Sequence, residues 1–387
     1  MTDKRPAIHA DLVVVGGGVI GLAIACEMQQ RGRNVTVLEM DEPGSGASQA
    51  AGGMLGPIAE AQIEEPEIIT LGLDSLSRYP EYIRELEAVS GMKTGFREEG
   101  TLIVAVNRDH LNELEHLQGT FRAKELTADT LTAEQVLELE PHLSPRVLGG
   151  LRIREDQRID PRRLASALAA ALISMGGTVR SGTRVQEVRT SAGRVCGLDA
   201  VGTGGDALQI DCADVVIATG ASPWEKIRMP VQDPGIRPIK GQLVRLRGET
   251  LLRHVVRSPD IYLIPQPEGE LFVGATMEEM GYDMAPTAGA AFDLLRFGWQ
   301  LLPGIYDLEF LGISVGQRPA VDDHMPVIGP VDTPGLWLAV GHFRKGILMA
   351  PATATYLADW METGQMPEAL ASFSPDRLLP SRTGQDR

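Results

Sequence analysis

The sequence predicts an α/β chain of two domains, one built on a parallel sheet and the other on an antiparallel sheet. Three observations carry this. Residues 11–39 read strand, turn, helix, strand: Leu12 to Val15 is a continuous apolar run of the kind buried in a parallel sheet, and Val19 to Arg31 has helical spacing with Ile20, Ile24 and Met28 in one row. Short apolar strands of the same character recur near 178–220 and after 336. Between them the chain is richer in the strand pattern of antiparallel sheets. The first domain is therefore expected from 1–85, 155–230 and 320–387, interleaved with a second from 86–154 and 231–319.

The elements follow in order. Gly32 closes the first helix, and Asn34 to Glu39 is the second strand. The Gly/Ser/Ala-rich stretch 43–57 has no apolar period and is expected as an ordered loop or a short helix start. A helix over 67–90, a strand at 100–106 and two charged helices lead to about 150. Asp160, as N-cap before Pro161, starts a helix that Gly176–Gly177 stops. Strands follow at Thr178–Val179, Val185–Val188, Val195–Val201 and Ala207–Ile210, the last two joined by the hairpin signal GTGGD. Asp214–Thr219 is another buried strand. Residues 236–320 alternate strands with one helix at 289–302. Strand Leu336–Val340, the turn GHFRKG, a helix over 346–362 and a polar tail after 376 complete the chain.

Length and charge narrow the function. At roughly 100–200 residues per domain, 387 residues make two or three domains. With 36 basic against 52 acidic residues, the net charge of −16 disfavours nucleic-acid and anionic-membrane partners. Three cysteines make no disulfide framework and point to a reducing, cytoplasmic setting. Neither Cys-x-x-Cys nor His-x-x-x-His occurs, so no metal site is expected. The apolar run 12–26 is interrupted by glycines and is too short to span a bilayer.

The chemistry begins at Gly16-x-Gly18-x-x-Gly21. Gly16 permits the tight turn, Gly18 lets backbone approach a pyrophosphate, and Gly21 lets the helix sit on the sheet. The helix start offers free amides and partial positive charge. Glu39, at the tip of the next strand, suits ribose hydroxyls and would repel a 2′-phosphate. The spacing points to a dinucleotide and leaves FAD and NAD both open.

Longer motifs narrow that choice. The GGGVIG turn, ASQAAGGMLGP, IDPRRL, IRPIKGQ (236–242), YLIP (262–265), FVGATMEEMGYD (272–283), GQRPAVDDHMPVIGP (316–330) and GHFRKGILMAP (341–351) together resemble the FAD-dependent D-amino-acid oxidase family, most closely the glycine oxidases of thiazole synthesis. The resemblance covers nearly the whole chain. It implies a Rossmann-type FAD-binding domain with an antiparallel-sheet substrate domain, similar to glutathione reductase and D-amino-acid oxidase. FAD would be held non-covalently. The sarcosine oxidases attach flavin through a cysteine near GQRP, and all three cysteines here precede residue 213.

The resemblance also implies roles. Val19, Ile20, Met40, Ala47, Ser48, Gly52, Gly53, Met54 and Gly220 would lie along the cofactor beside the glycines and Glu39, and Val185 would contact the adenine through its backbone. His342, Phe343, Arg344, Lys345, Gly346, Ile347 and Leu348 would bring a helix N-terminus to the flavin edge where negative charge develops. The family more often has Asn where Lys345 stands; the lysine would either tune the flavin or face solvent. Arg318 would hold an α-carboxylate as a two-pronged fork, with the Tyr262 hydroxyl beside it. Met277 and Gly56 match positions around a small side-chain space, and Arg344 borders it. Met277 reads equally as core. Asp260, two residues before Tyr262, is expected on the same strand face or at the pocket rim, where it would bias the site toward a charged amine.

The implied reaction is oxidation of glycine or another small amino acid to the imino and then the oxo acid, releasing ammonia, with molecular oxygen taking the electrons as hydrogen peroxide. No side-chain general base is required. Sarcosine or D-amino-acid oxidases and dehydrogenases share the anchoring arginine. A FAD-binding module or a tRNA-modifying component is the alternative of another class. A non-catalytic module would not need Arg318 and Tyr262, and the acidic chain has no basic run for RNA. A homo-oligomer is compatible with all of these.

Overall fold

The computed structural model describes residues 8–59 and 66–378. Strand Leu12–Val15 lies inside a six-stranded sheet, between Val35–Leu38 and Asp214–Ile217, both parallel to it. Thr178–Arg180 extends one side; Leu336–Val340 extends the other, with Val327–Pro330 antiparallel at the edge. Side-chain alternation splits this sheet's contacts between two layers. Leu12 and Val14 pack with helices Val19–Gln30, Pro66–Ser90, Pro161–Ser174 and Gly346–Thr363. Val13 and Val15 pack with the hairpin Arg194–Gly202 and Ala207–Asp211, whose connection is the GTGGD turn.

The second large sheet has eight strands in the order Glu309–Ala320, Arg237–Arg247, Glu270–Gly274, Tyr262–Pro265, Val255–Arg257, Thr101–Ala105, Gly149–Ile153, Asp129–Thr132. Every pairing is antiparallel except Val255–Arg257 with Thr101–Ala105. Helix Ala288–Leu301 packs on it through Leu294 and Leu301.

Local signals behave as their chemistry dictates. Asp160 caps helix Pro161–Ser174, its Oδ1 accepting from the Arg162 amide at 2.9 Å. The stretch 43–57 supplies the one-turn helix Ala47–Ala50 and the short strand Met54–Leu55. For Asp260 the strand-face alternative fails. The strand begins at Tyr262, and Asp260 lies in the turn from Val255–Arg257, which the Ser258 amide closes on the Ile261 carbonyl at 2.8 Å. A tight turn breaks strand alternation, so the two-residue offset from Tyr262 does not by itself set where Asp260 lies.

Candidate functional site

A cleft of about 610 Å³ opens between the two large sheets. Its first wall is the glycine turn. Gly16 has φ +110°, and a Cβ there would stand 2.3 Å from the Ala218 carbonyl oxygen, so only glycine lets the two strand ends touch. Gly18 is different: a Cβ there would meet only the Ser48 hydroxyl, at 3.6 Å, so its backbone faces open space. Gly21 does not line the cleft. A Cβ there would lie 2.1 Å from the Gly16 carbonyl oxygen, the close helix-to-turn packing expected of the third glycine.

Helix Val19–Gln30 has no side-chain cap on Gly18, and Ser48 Oγ accepts from the Val19 amide at 3.0 Å. Glu39 is locked by two backbone donors, Oε2 accepting from Gly17 N at 2.6 Å and Oε1 from Asp41 N at 2.9 Å. Val19, Ile20, Glu39, Met40, Ala47, Ser48, Gly52, Gly53, Met54 and Gly220 all line the same cleft. A helix start whose first amide is met only by the Ser48 hydroxyl, an open Gly18 backbone and a fixed carboxylate one strand away form a cradle that fits the pyrophosphate and ribose of FAD. None of the three cysteines lines the cleft.

The far end is the turn 341–346. His342, Phe343, Arg344, Gly346 and Ile347 line the cleft there. Phe343 takes φ +46°, unusual for a bulky residue, and its amide donates to the Pro319 carbonyl at 2.8 Å, tying this turn to the strand of Arg318. His342 is buried, its Nε2 3.2 Å from Thr353 Oγ1, and desolvation lowers its pKa to about 3. It is therefore neutral at physiological pH and adds no charge.

Arg318 enters from the eight-stranded sheet. Its Nη1 donates to the carbonyls of Thr276 at 3.1 Å and Lys240 at 3.4 Å, and its guanidinium lies across Gly241, where a Cβ would stand 2.4 Å from Nη1. Among the described residues no carboxylate pairs with it. The Tyr262 ring lies over Gly274, where a Cβ would be 2.5 Å from the ring. Gly52 borders it from below, 3.8 Å from its hydroxyl when a Cβ is built. Glycines at 52, 241 and 274 thus clear a small space beside one positive fork. Sequence reasoning passed over Gly241, Gly274 and Thr276, although IRPIKGQ and FVGATME contain them.

The remaining expected residues divide. Met277 lines the cleft and is 62% exposed, which rules out the core reading. Asp260 also lines it, with Oδ2 3.2 Å from Nε2 of the buried His110, so its carboxylate is engaged at the rim. Four others stay outside the lining. Gly56 backs onto Asp156, whose carboxylate a Cβ would meet at 2.7 Å. Val185 is buried against the hairpin core, and Leu348 points into the helical layer. Lys345, the N-cap residue of helix Gly346–Thr363, is only 5% exposed, so the solvent-facing alternative is overturned.

The comparisons agree with this geometry. A family model described as FAD dependent oxidoreductase matches residues 11–360. The chain is 34% identical over 378 residues to the bifunctional protein ThiO/ThiG of Synechocystis sp., covering 96% of this chain and 54% of that protein. It therefore spans about half the length of the bifunctional relatives it matches. It is 33% identical over 374 residues to glycine oxidase of Geobacillus kaustophilus, covering 95% of this chain and 97% of that one. The crystal structure of glycine oxidase from Geobacillus kaustophilus superposes with TM-score 0.86 at 32% identity, over 95% and 98% of the two chains. L-proline dehydrogenase from P. horikoshii, at 22% identity and TM-score 0.80 over 96% and 98%, shares the fold. With the glycine cradle, the fixed Glu39 and these likenesses in agreement, the chain belongs to the FAD dependent oxidoreductase family and is similar over nearly its whole length to the glycine oxidases.

Proposed function

We propose that the protein oxidises glycine, or another amino acid of similar size, to the imino acid, which water converts to the oxo acid and ammonia. The observation that carries this is Arg318, a half-buried guanidinium in the cleft with one nitrogen held by two carbonyls and no carboxylate partner among the described residues. A fork in that state suits an α-carboxylate, and the Tyr262 hydroxyl adds a second donor. The glycines at 52, 241 and 274 favour a small substrate.

FAD, when bound, supplies the two-electron oxidant. The chain binds and orients the amino acid, and the cleft walls exclude water from the reacting bond. The first amides of helix Gly346–Thr363 and Arg344 make that end of the cleft positive, while His342 remains neutral. With oxygen as acceptor the balance is amino acid, oxygen and water giving oxo acid, ammonia and hydrogen peroxide. The likeness to the ThiO/ThiG proteins supports a place in thiazole (thiamine) synthesis. Three free cysteines support a cytoplasmic setting, and among the described residues no helix is long and apolar enough to cross a membrane.

Steady-state kinetics of Arg318→Ala test the anchoring role. Losing a charge-assisted contact to the carboxylate should raise KM for glycine by about a hundredfold or more. An unchanged KM would refute it.

A further inference from the structure

The motif IRPIKGQ has no role in the reading above, yet its lysine is the most deeply buried cation described. We propose that Lys240 and Gln242 are positioning residues of the substrate site. They staple the segment 275–287 to the strand that carries them, and so fix both the Arg318 guanidinium and the cleft wall built from Met277, Tyr282 and Met284. The proposal rests on the reading of Arg318 as a carboxylate anchor.

Both side chains are 0% exposed and lie on one face of strand Arg237–Arg247. Lys240 Nζ donates to Asp283 Oδ2 at 2.7 Å and to the Ala285 carbonyl at 2.6 Å. Gln242 works at both ends of the segment. Its Nε2 donates to Glu278 Oε1 at 2.8 Å and Thr287 Oγ1 at 3.1 Å, and its Oε1 accepts from the Thr287 amide at 2.8 Å. Its own amide donates to Thr276 Oγ1 at 2.9 Å. Backbone bonds of 2.9 Å in each direction join Lys240 to Glu278.

The segment has little else to hold it. Residues 279–288 are all exposed, so no apolar core beneath them sets their position. Met277, Tyr282 and Met284 nonetheless line the cleft. Two surface contacts assist, Arg237 with Glu279 at 2.6 Å and Gln317 Nε2 with the Gly281 carbonyl at 3.1 Å. Their exposure makes them weak beside the buried set.

The link to Arg318 is direct. Its two carbonyl partners, Lys240 and Thr276, belong to the two sides of the staple. If the segment drifts, the Thr276 carbonyl drifts with it, and the guanidinium loses one of the contacts that aim it. A buried ammonium is an expensive way to gain stability alone, since well-packed apolar groups commonly do as well. Its value here is geometric: the Lys240 ammonium has to meet both the Asp283 carboxylate and the Ala285 carbonyl, which admits one placement of the segment.

The test is an equilibrium titration of the FAD-loaded protein with acetate and with butyrate, read from flavin absorbance, in wild type, Asp283→Asn, Asp283→Glu and Lys240→Met. Asp283 is exposed at the far end of the staple, so its replacement spares the core. Expected for Asp283→Asn are acetate binding weakened about tenfold, a smaller preference for acetate over butyrate, an unchanged resting spectrum and retained FAD. Asp283→Glu should recover most of the affinity, and Lys240→Met should exceed Asp283→Asn. Acetate affinity of Asp283→Asn within about twofold of wild type overturns the proposal, as does a loss that merely tracks FAD release. A wild-type flavin unmoved by acetate contradicts the carboxylate-anchor reading itself, and the proposal falls with it.

Discussion

The Tyr79 hydroxyl donates to the Ile347 carbonyl, the acceptor that Pro351, four residues on in helix Gly346–Thr363, has no N–H to serve. Ser75 repairs the next position: its hydroxyl donates to the Leu348 carbonyl at 2.6 Å and accepts from the Ala352 amide at 3.2 Å. Helix Pro66–Ser90 thus completes the first turn of the helix whose start lines the cleft. A proline in a helix interior costs its ladder bond and opens the turn before it, and here two hydroxyls fill the gap.

Tyr79→Phe should therefore lower stability by about 1–3 kcal/mol, the cost of a buried acceptor left unpaired. Thermal unfolding in a double-mutant cycle with Pro351→Ala separates this from lost packing. The amide restored by Pro351→Ala can serve Ile347, so Tyr79→Phe should cost less in that background. Equal costs in both backgrounds would show that the hydroxyl is not replacing the missing helical donor.

The two glycines of the turn should respond differently. Gly16→Ala forces a Cβ to within 2.3 Å of the Ala218 carbonyl oxygen at a φ of +110°, and should destabilise the fold. Gly18→Ala meets nothing closer than 3.6 Å and should fold normally. Its Cβ would instead occupy the backbone approach to the pyrophosphate, so FAD affinity should fall by tenfold or more, about 1.4 kcal/mol. Melting curves of the apoproteins and FAD titration check both; full FAD affinity in Gly18→Ala would place the pyrophosphate elsewhere.

Gly241→Ala probes the anchor from below. A Cβ 2.4 Å from Arg318 Nη1 must push the guanidinium off its seat. KM for glycine should rise about tenfold or more with FAD affinity unchanged. A wild-type KM would mean that the seat of Arg318 on Gly241 is irrelevant to substrate binding.

Acid should act through His342. Its folded pKa, lowered to about 3, lies below the ordinary value of 6.5, so as pH falls below 6.5 the unfolded state takes up a proton that the folded state refuses. Stability is fully present above 6.5 and is lost towards 3 by up to roughly 1.4 kcal/mol per pH unit from this group. His342→Gln should flatten that acid limb in denaturant titrations. An unaltered slope would show that other groups set it.

What could be read in advance was what depends on neighbours in sequence. The Gly16–Gly21 turn with Glu39, the Asp160 cap before Pro161 and the GTGGD hairpin are local chemistry, and each appears as its spacing requires. Arg318 and Tyr262 were reached through family likeness, because nothing beside an isolated arginine says that its partner is absent. For Asp260 the rim alternative holds and the strand-face one fails, because a two-residue offset implies a shared face only where the strand is already running. The Lys240–Asp283 and Tyr79–Ile347 contacts join residues 43 and 268 positions apart, beyond the reach of any local pattern. The burial of Lys345 follows from the packing around the start of its helix, which the turn GHFRKG does not encode.

The central claim is that Arg318 presents a small amino acid to bound FAD, and anaerobic mixing tests it most directly. The purified flavoprotein, freed of oxygen, is mixed with glycine, sarcosine or D-alanine while absorbance in the visible flavin band is followed. The expected result is bleaching by glycine in wild type, and a far higher glycine concentration for the same bleaching in Arg318→Ala. Failure of all three amines to bleach the wild-type flavin would contradict the assignment.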